Sequence, residues 1–196
     1  TQVIPDSESA SSYVNTLFDN PDLCLGAVSD DPAISDRIYA EWLLIDSIVR
    51  DYGPEAVRRL WELAADREGM DVFYALAEEL GDEPYDLVLD MAIRNLLLDY
   101  EQAPQFEGTV FVEGWIEEPG VVSPSSNGVQ ELAVDYVGIT YPGAFTIGID
   151  QPDLLLQVIA IDSSSEAAWA ALTLPTPPTT ARTRCPARPS SKTPRP

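Results

Sequence analysis

The stretch Asp36–Tyr52, DRIYAEWLLIDSIVRDY, decides how this chain folds. Ile38, Trp42, Ile45, Val49 and Tyr52 recur at steps of four, three, four and three, which is one continuous helical stripe. Leu43, Leu44 and Ile48 widen it, so the helix has to be covered on more than one side. Gly53 supplies a residue that tolerates a left-handed C-cap, and Pro54 opens the next helix at its first turn.

Working outward, the segment before this helix is polar and turn-rich. A short helix is expected over Ser9–Phe18, carried by Tyr13, Val14, Leu17 and Phe18 and ended by Asn20-Pro21. Ser35 or Asp36 is the N-cap of the central helix. Asp30, Asp31 and Asp36 lack the alternating D-x-D-x-D-G spacing of a calcium loop, so they read as capping and solvated charge. After it, a second helix is expected from Pro54 to about Arg67, closed by Gly69. A third begins at Asp71 as N-cap, turns Phe73, Leu76, Ala77 and Leu80 inward and stops at Gly81. A fourth runs Pro84–Tyr100. Short connections make neighbours of these helices, and residues 1–103 read as a small bundle.

The period changes at Pro104. TVFVEGWI (109–116), VQELAVDYVGITY (129–141), FTIGI (145–149) and LLLQVIAI (154–161) read as strands separated by turn signals such as Ser125-Ser126-Asn127-Gly128 and Pro142-Gly143. Gly138 marks a bulge where the alternation changes face. The fold class expected is therefore α+β, a small helical bundle followed by an antiparallel β-sheet or an incomplete β-sandwich over residues 104–162. LLLQVIAI is apolar at nearly every position and calls for cover on both faces. An interrupted sheet leaves an unpaired edge, and self-association through that edge at moderate salt is expected. Residues 163–196 turn to proline, threonine and arginine and read as a disordered tail. Either a linker to another module or a reading-frame slip in GC-rich DNA accounts for that switch.

Charge narrows the partners. The chain of 196 residues has a net charge of −22, but all 33 acidic residues lie at or before Glu166 and five of the 11 cations lie beyond it. The part up to Glu166 carries −27 and no lysine, a surface that repels phosphate backbones and excludes nucleic acid. Such charge suits a high-salt or extracellular setting, and equally an acidic proteome from a GC-rich genome. There is no histidine, which removes every His-dependent triad, His-ligated zinc site and histidine acid–base step from this chain. Cys24 and Cys185 allow a single bridge and no disulfide framework. The chain begins at Thr1, has no apolar run long enough to span a bilayer and reads as a piece of a longer protein.

No catalytic motif is complete: G-x-S-x-G, the P-loop, G-x-G-x-x-G and C-x-x-C are all missing. The carboxylate pairs Glu78-Glu79 and Glu117-Glu118 lie beside turns or on polar faces, where solvated charge is the default reading. The order of segments nevertheless has a likeness. DNPDLCL precedes a helix of the form Y-x-x-W-L-L-x-x-x-x-x-x-x-Y-G, followed by PEAVRRLW and later DLVLDMAIRNLLLDY leading into β structure. This resembles the part of a gluzincin-like secreted zinc metallopeptidase that follows its H-E-x-x-H helix and glutamate ligand, over residues 1–161.

What the resemblance implies is specific. The metal motif is absent, so no zinc ligand is carried over; zinc is expected only in an intact parent, and the upstream zinc-binding segment is the expected partner. In aminopeptidase-like gluzincins a tyrosine opening this helix donates a hydrogen bond to the oxyanion of the tetrahedral intermediate, and Tyr39 matches that place. The chain is then a non-catalytic C-terminal fragment of an extracellular or cell-surface peptidase acting on peptide or protein substrates. The other expectation is an acidic extracellular binding or adhesion module with no enzymatic activity.

Overall fold

The apolar stretch 36–52 does not run as one regular helix. In a computed structural model, which describes residues 7–26, 32–121, 129–148, 154, 156–161 and 169–173, it forms α3 (Arg37–Ala40) and α4 (Trp42–Tyr52), with Glu41 as a turn between them. The preceding helices are α1 (Ser7–Asp19) and α2 (Pro32–Ser35). Tyr39 N–H bonds the Asp36 carbonyl and Leu44 N–H bonds that of Glu41, each at 3.0 Å, so the backbone tightens on either side of the break. The reason lies in the side chains. Arg37 and Glu41 are both drawn toward the 20–26 loop, which fixes their end of the helix independently of the rest.

The deepest face differs from the expected stripe. Ala40, Leu43, Leu44, Ser47 and Ile48 are buried, whereas Ile38, Trp42, Ile45, Val49 and Tyr52 are half-buried. Both sets have helical spacing, so periodicity alone did not separate them. Partners did: α1 packs on α3, and α7 (Pro84–Leu97) packs on α4, and they seal the Leu43/Ile48 side. Val14, Leu17 and Phe18 of α1 and Leu87, Val88 and Met91 of α7 complete that core.

Helix ends follow the expected residues with four corrections. Gly53 has φ +82 as a C-cap needs, but its ψ is extended rather than left-handed helical. Helix α5 (Glu55–Leu63) stops short of Arg67. Gly69, at φ +57, opens α6 (Met70–Leu80) instead of closing α5, which places Asp71 inside the first turn rather than at the cap. Helix α7 ends at Leu97, because Leu98 turns left-handed (φ +51) and sends Tyr100 back into the core. There the Tyr100 hydroxyl donates to Asn95 Oδ1 at 2.7 Å, and its ring meets Trp42 edge-on.

The β part corrects the sequence reading more strongly. The molecule mixes helices and strands as expected of an α+β chain. However, β1 (Gly114–Ile116) pairs parallel, not antiparallel, with β2 (Val137–Ile139), Trp115 lying opposite Gly138 without a bulge. The first half of the expected second strand is used otherwise. Gln130 and Val134 donate their N–H groups to the carbonyls of Asp22 and Pro21, Leu132 is buried, and the Tyr136 hydroxyl donates to the Ala92 carbonyl at 2.9 Å. Tying residues 130–136 to the helices delivers β2 alongside β1 in the same direction.

By compactness, the described residues up to Tyr141 form one unit and the described residues of Pro142–Arg184 a second. In the second, β3 (Gln157–Ile161) and β4 (Trp169–Thr173) form an antiparallel pair, and the described part of FTIGI carries no strand. Neither a sandwich nor one continuous antiparallel sheet forms among the described residues. Val158 and Ile159 are half-buried and Ile161 is exposed, so LLLQVIAI is not covered on both faces there. Strand β4 falls inside the segment expected as tail; residues 174–196, including Cys185 and with it the single bridge, lie outside the described residues, as do Asp30 and Asp31.

Candidate functional site

The N-terminal end of α3 gathers the residues on which a functional reading rests. The backbone from Asn20 to Leu25 turns away from α1 and presents its carbonyls inward. Arg37, 2% exposed, answers them: its Nε donates to Asn20 O at 3.2 Å, Nη1 to Cys24 O at 3.0 Å and Nη2 to Leu23 O at 2.7 Å. Nη1 also reaches Glu41 Oε1 at 3.2 Å, and the same oxygen accepts the Gly26 N–H at 2.6 Å. A guanidinium is suited to this task because its donors are planar and fixed in a fork. Burial works to lower the Arg37 pKa, and the carboxylates of Glu41 and Asp22 work against that. Burial likewise raises the Glu41 carboxyl, offset by the Gly26 N–H and by Arg37.

This clamp joins DNPDLCL to the helix that follows it. The sequence offered a signal for it, a lone arginine one turn before a glutamate at the edge of an apolar helix, but an i,i+4 pair ordinarily reads as exposed. Only the tertiary position of the loop turns the pair inward.

Tyr39 lies two residues beyond the clamp and faces out. It is 57% exposed, its ring tilts against Tyr13 at a centroid distance of 5.0 Å, and its hydroxyl has no hydrogen-bond partner among the described residues. A phenol held by its ring in this way is able to donate to an approaching oxygen. Asp36 stands in the N-cap position without a side-chain cap bond.

The other carboxylates divide by partner. Glu79 forms an ion pair with Arg59, Arg59 also pairs with Glu62, and Arg58 bridges Glu55 and Glu62, an exposed ladder on the polar faces of α5 and α6. Glu78, Glu117 and Glu118 are exposed. Asp135 behaves differently: burial first, then the charges of Glu113 and Asp22, push its carboxyl up to about 6. Among the described residues no group of three His, Cys, Asp or Glu side chains is placed to hold a metal ion, so the residues present do not fit a zinc centre and no zinc step is derived for this chain. No helix among them is long and apolar enough to cross a membrane.

An open apolar groove of about 440 Å³ runs between α3–α4, α5 and α6. The half-buried shoulder of the central helix (Ile38, Trp42 and Ile45) forms one wall, and Leu60, Trp61 and Phe73 contribute to the other. Trp61 is 73% exposed. Val57, Leu60, Trp61 and Ala64 share one face by helical spacing, yet Trp61 and Ala64 stay exposed while Val57 and Leu60 are half-buried.

Comparison of the chain with protein-family models, with curated proteins and with solved structures finds no match.

Proposed function

We propose that this chain is the non-catalytic C-terminal part of an extracellular gluzincin-like zinc peptidase, inactive without the zinc-binding segment that would precede it. The observation that carries the reading is Tyr39. It opens the central helix, more than half exposed with its hydroxyl bonded to none of the described residues, and the DNPDLCL loop beside it is locked by Arg37. A surface tyrosine so placed is suited to act as an oxyanion donor. On this reading the substrates are peptides or proteins.

The test begins with the coding DNA upstream of residue 1. An in-frame H-E-x-x-H on an apolar helix, followed by a glutamate ligand, is expected. Expressed with that segment, Tyr39→Phe should lower kcat about 10²–10³-fold, as loss of one oxyanion donor does, with zinc content unchanged. Absence of the motif, or full activity in Tyr39→Phe, overturns the reading. The uncovered groove favours a second reading, an acidic binding module without enzymatic activity, which is the one left standing if the upstream motif is missing.

A further inference from the structure

The central helix is apolar around more of its circumference than the core covers. One face, Leu43 and Ile48, is buried in the core; the other, Ile38, Trp42 and Ile45 with the buried Leu44 beneath them, lines the groove. The opposite wall ends in Trp61, an indole 73% exposed on a helix that otherwise turns charges to solvent. Burying so large an apolar surface is favourable, so leaving it bare on a monomer forgoes that contribution. A groove of this size lies in the range of built binding pockets, roughly 300–1,000 Å³.

Charge indicates what covers it. The connection between α5 and α6, which reaches the groove at Gly69, exposes Asp66 and Glu68 with Arg67 as the one cation between them, and Asp71 is exposed in the first turn of α6. The chain up to Glu166 carries −27, so a second copy or an acidic partner meets strong repulsion, while a cationic one is steered in. We propose that the groove between α3–α4, α5 and α6 is a docking site for a cationic amphipathic segment of a partner protein. Its apolar residues fill the space beside Trp61 and Trp42, and its lysines or arginines lie over these acidic residues. This inference does not depend on the peptidase reading.

The probe is a labelled amphipathic peptide of leucine and lysine, compared with a leucine–glutamate peptide of the same leucine spacing. Both are titrated onto the full chain near 0.15 M salt, where exposed charges more than about 8 Å apart are screened. Saturable binding of the lysine peptide is expected, with none for the glutamate peptide. Trp61→Ala should weaken binding at least about tenfold, as removal of an aromatic anchor does. Ala64→Arg, which sets a cation on the groove wall, should do the same. Both positions are exposed, so unchanged circular dichroism is expected to confirm the fold. Trp115→Ala, on β1, is the control and should bind as the unaltered chain does. Equal binding of the two peptides, no saturable binding, or lysine-peptide affinity unaffected by both groove substitutions overturns the proposal. So does a dimer that Trp61→Ala dissociates, which would give the groove to a second copy.

Discussion

Arg37 Nη2 donates to the carbonyl of Leu23 at 2.7 Å across fourteen residues of chain, and the same guanidinium holds Asn20 and Cys24. Truncating it leaves those buried carbonyls short of donors and Glu41 without its cation. Arg37→Ala should cost about 3–5 kcal/mol, the range for removing one partner of a buried charged network. Arg37→Lys should recover only part of it, because an ammonium cannot fork to several carbonyls. Urea denaturation of the three proteins checks both, and a midpoint for Arg37→Ala within error of the unaltered chain would contradict the clamp.

Asp135 gives a pH signature. Its carboxyl is raised to about 6 in the folded chain, by burial and then by Glu113 and Asp22, from about 3.9 in the unfolded one. Between those values the folded state keeps a proton that the unfolded chain has lost, so stability falls as pH rises through the window. Asp135→Asn escapes the cost. It should be more stable at pH 7 by on the order of 1 kcal/mol, after discounting for partial exposure, with the advantage gone near pH 4. Thermal midpoints at both pH values test this, and a gain equal at the two would refute the assigned titration.

Gly138 carries no bulge; it lies under an indole. A Cβ built there would overlap Cε3 of the Trp115 ring. Trp115 is 62% exposed and free to swing outward. Gly138→Ala should therefore cost only about 1 kcal/mol or less while shifting tryptophan emission to the red, since the ring loses its platform. A loss above about 3 kcal/mol would mean that the backbone, not the ring, has to move.

The hydroxyl of Tyr100 donates to Asn95 Oδ1 in the buried turn after α7. Tyr100→Phe keeps the ring contacts with Trp42 and Phe106 and leaves the Asn95 oxygen unpartnered. A loss of about 1–3 kcal/mol is expected by chemical denaturation, the cost of one unsatisfied buried group. No measurable loss would show that water replaces the phenol.

Much of the helical part was legible because its signals are local. Pro84 at the start of α7 and the left-handed Gly81 after α6 are set by backbone sterics that hold in any context. Where the signal was ambiguous the reading slipped: Gly69 serves the end of one helix or the start of the next equally well, and only the path of the chain assigns it to α6. Tyr39 was legible as a helix-opening tyrosine, but its exposure was not. The groove was half legible, since the breadth of the apolar stripe already called for a second cover.

By itself the sequence determined that the first hundred residues are mainly helical and that the chain is strongly negative, because propensity and composition act over a few residues. Tertiary structure alone decided that Arg37 turns inward, that β2 runs parallel to β1, and that Trp61 stays bare. Each of these depends on where a distant backbone carbonyl or a neighbouring helix arrives. A buried carbonyl draws the nearest donor, and the hydrogen bonds of Gln130 and Val134 to the 21–22 turn set the direction of the strand that follows.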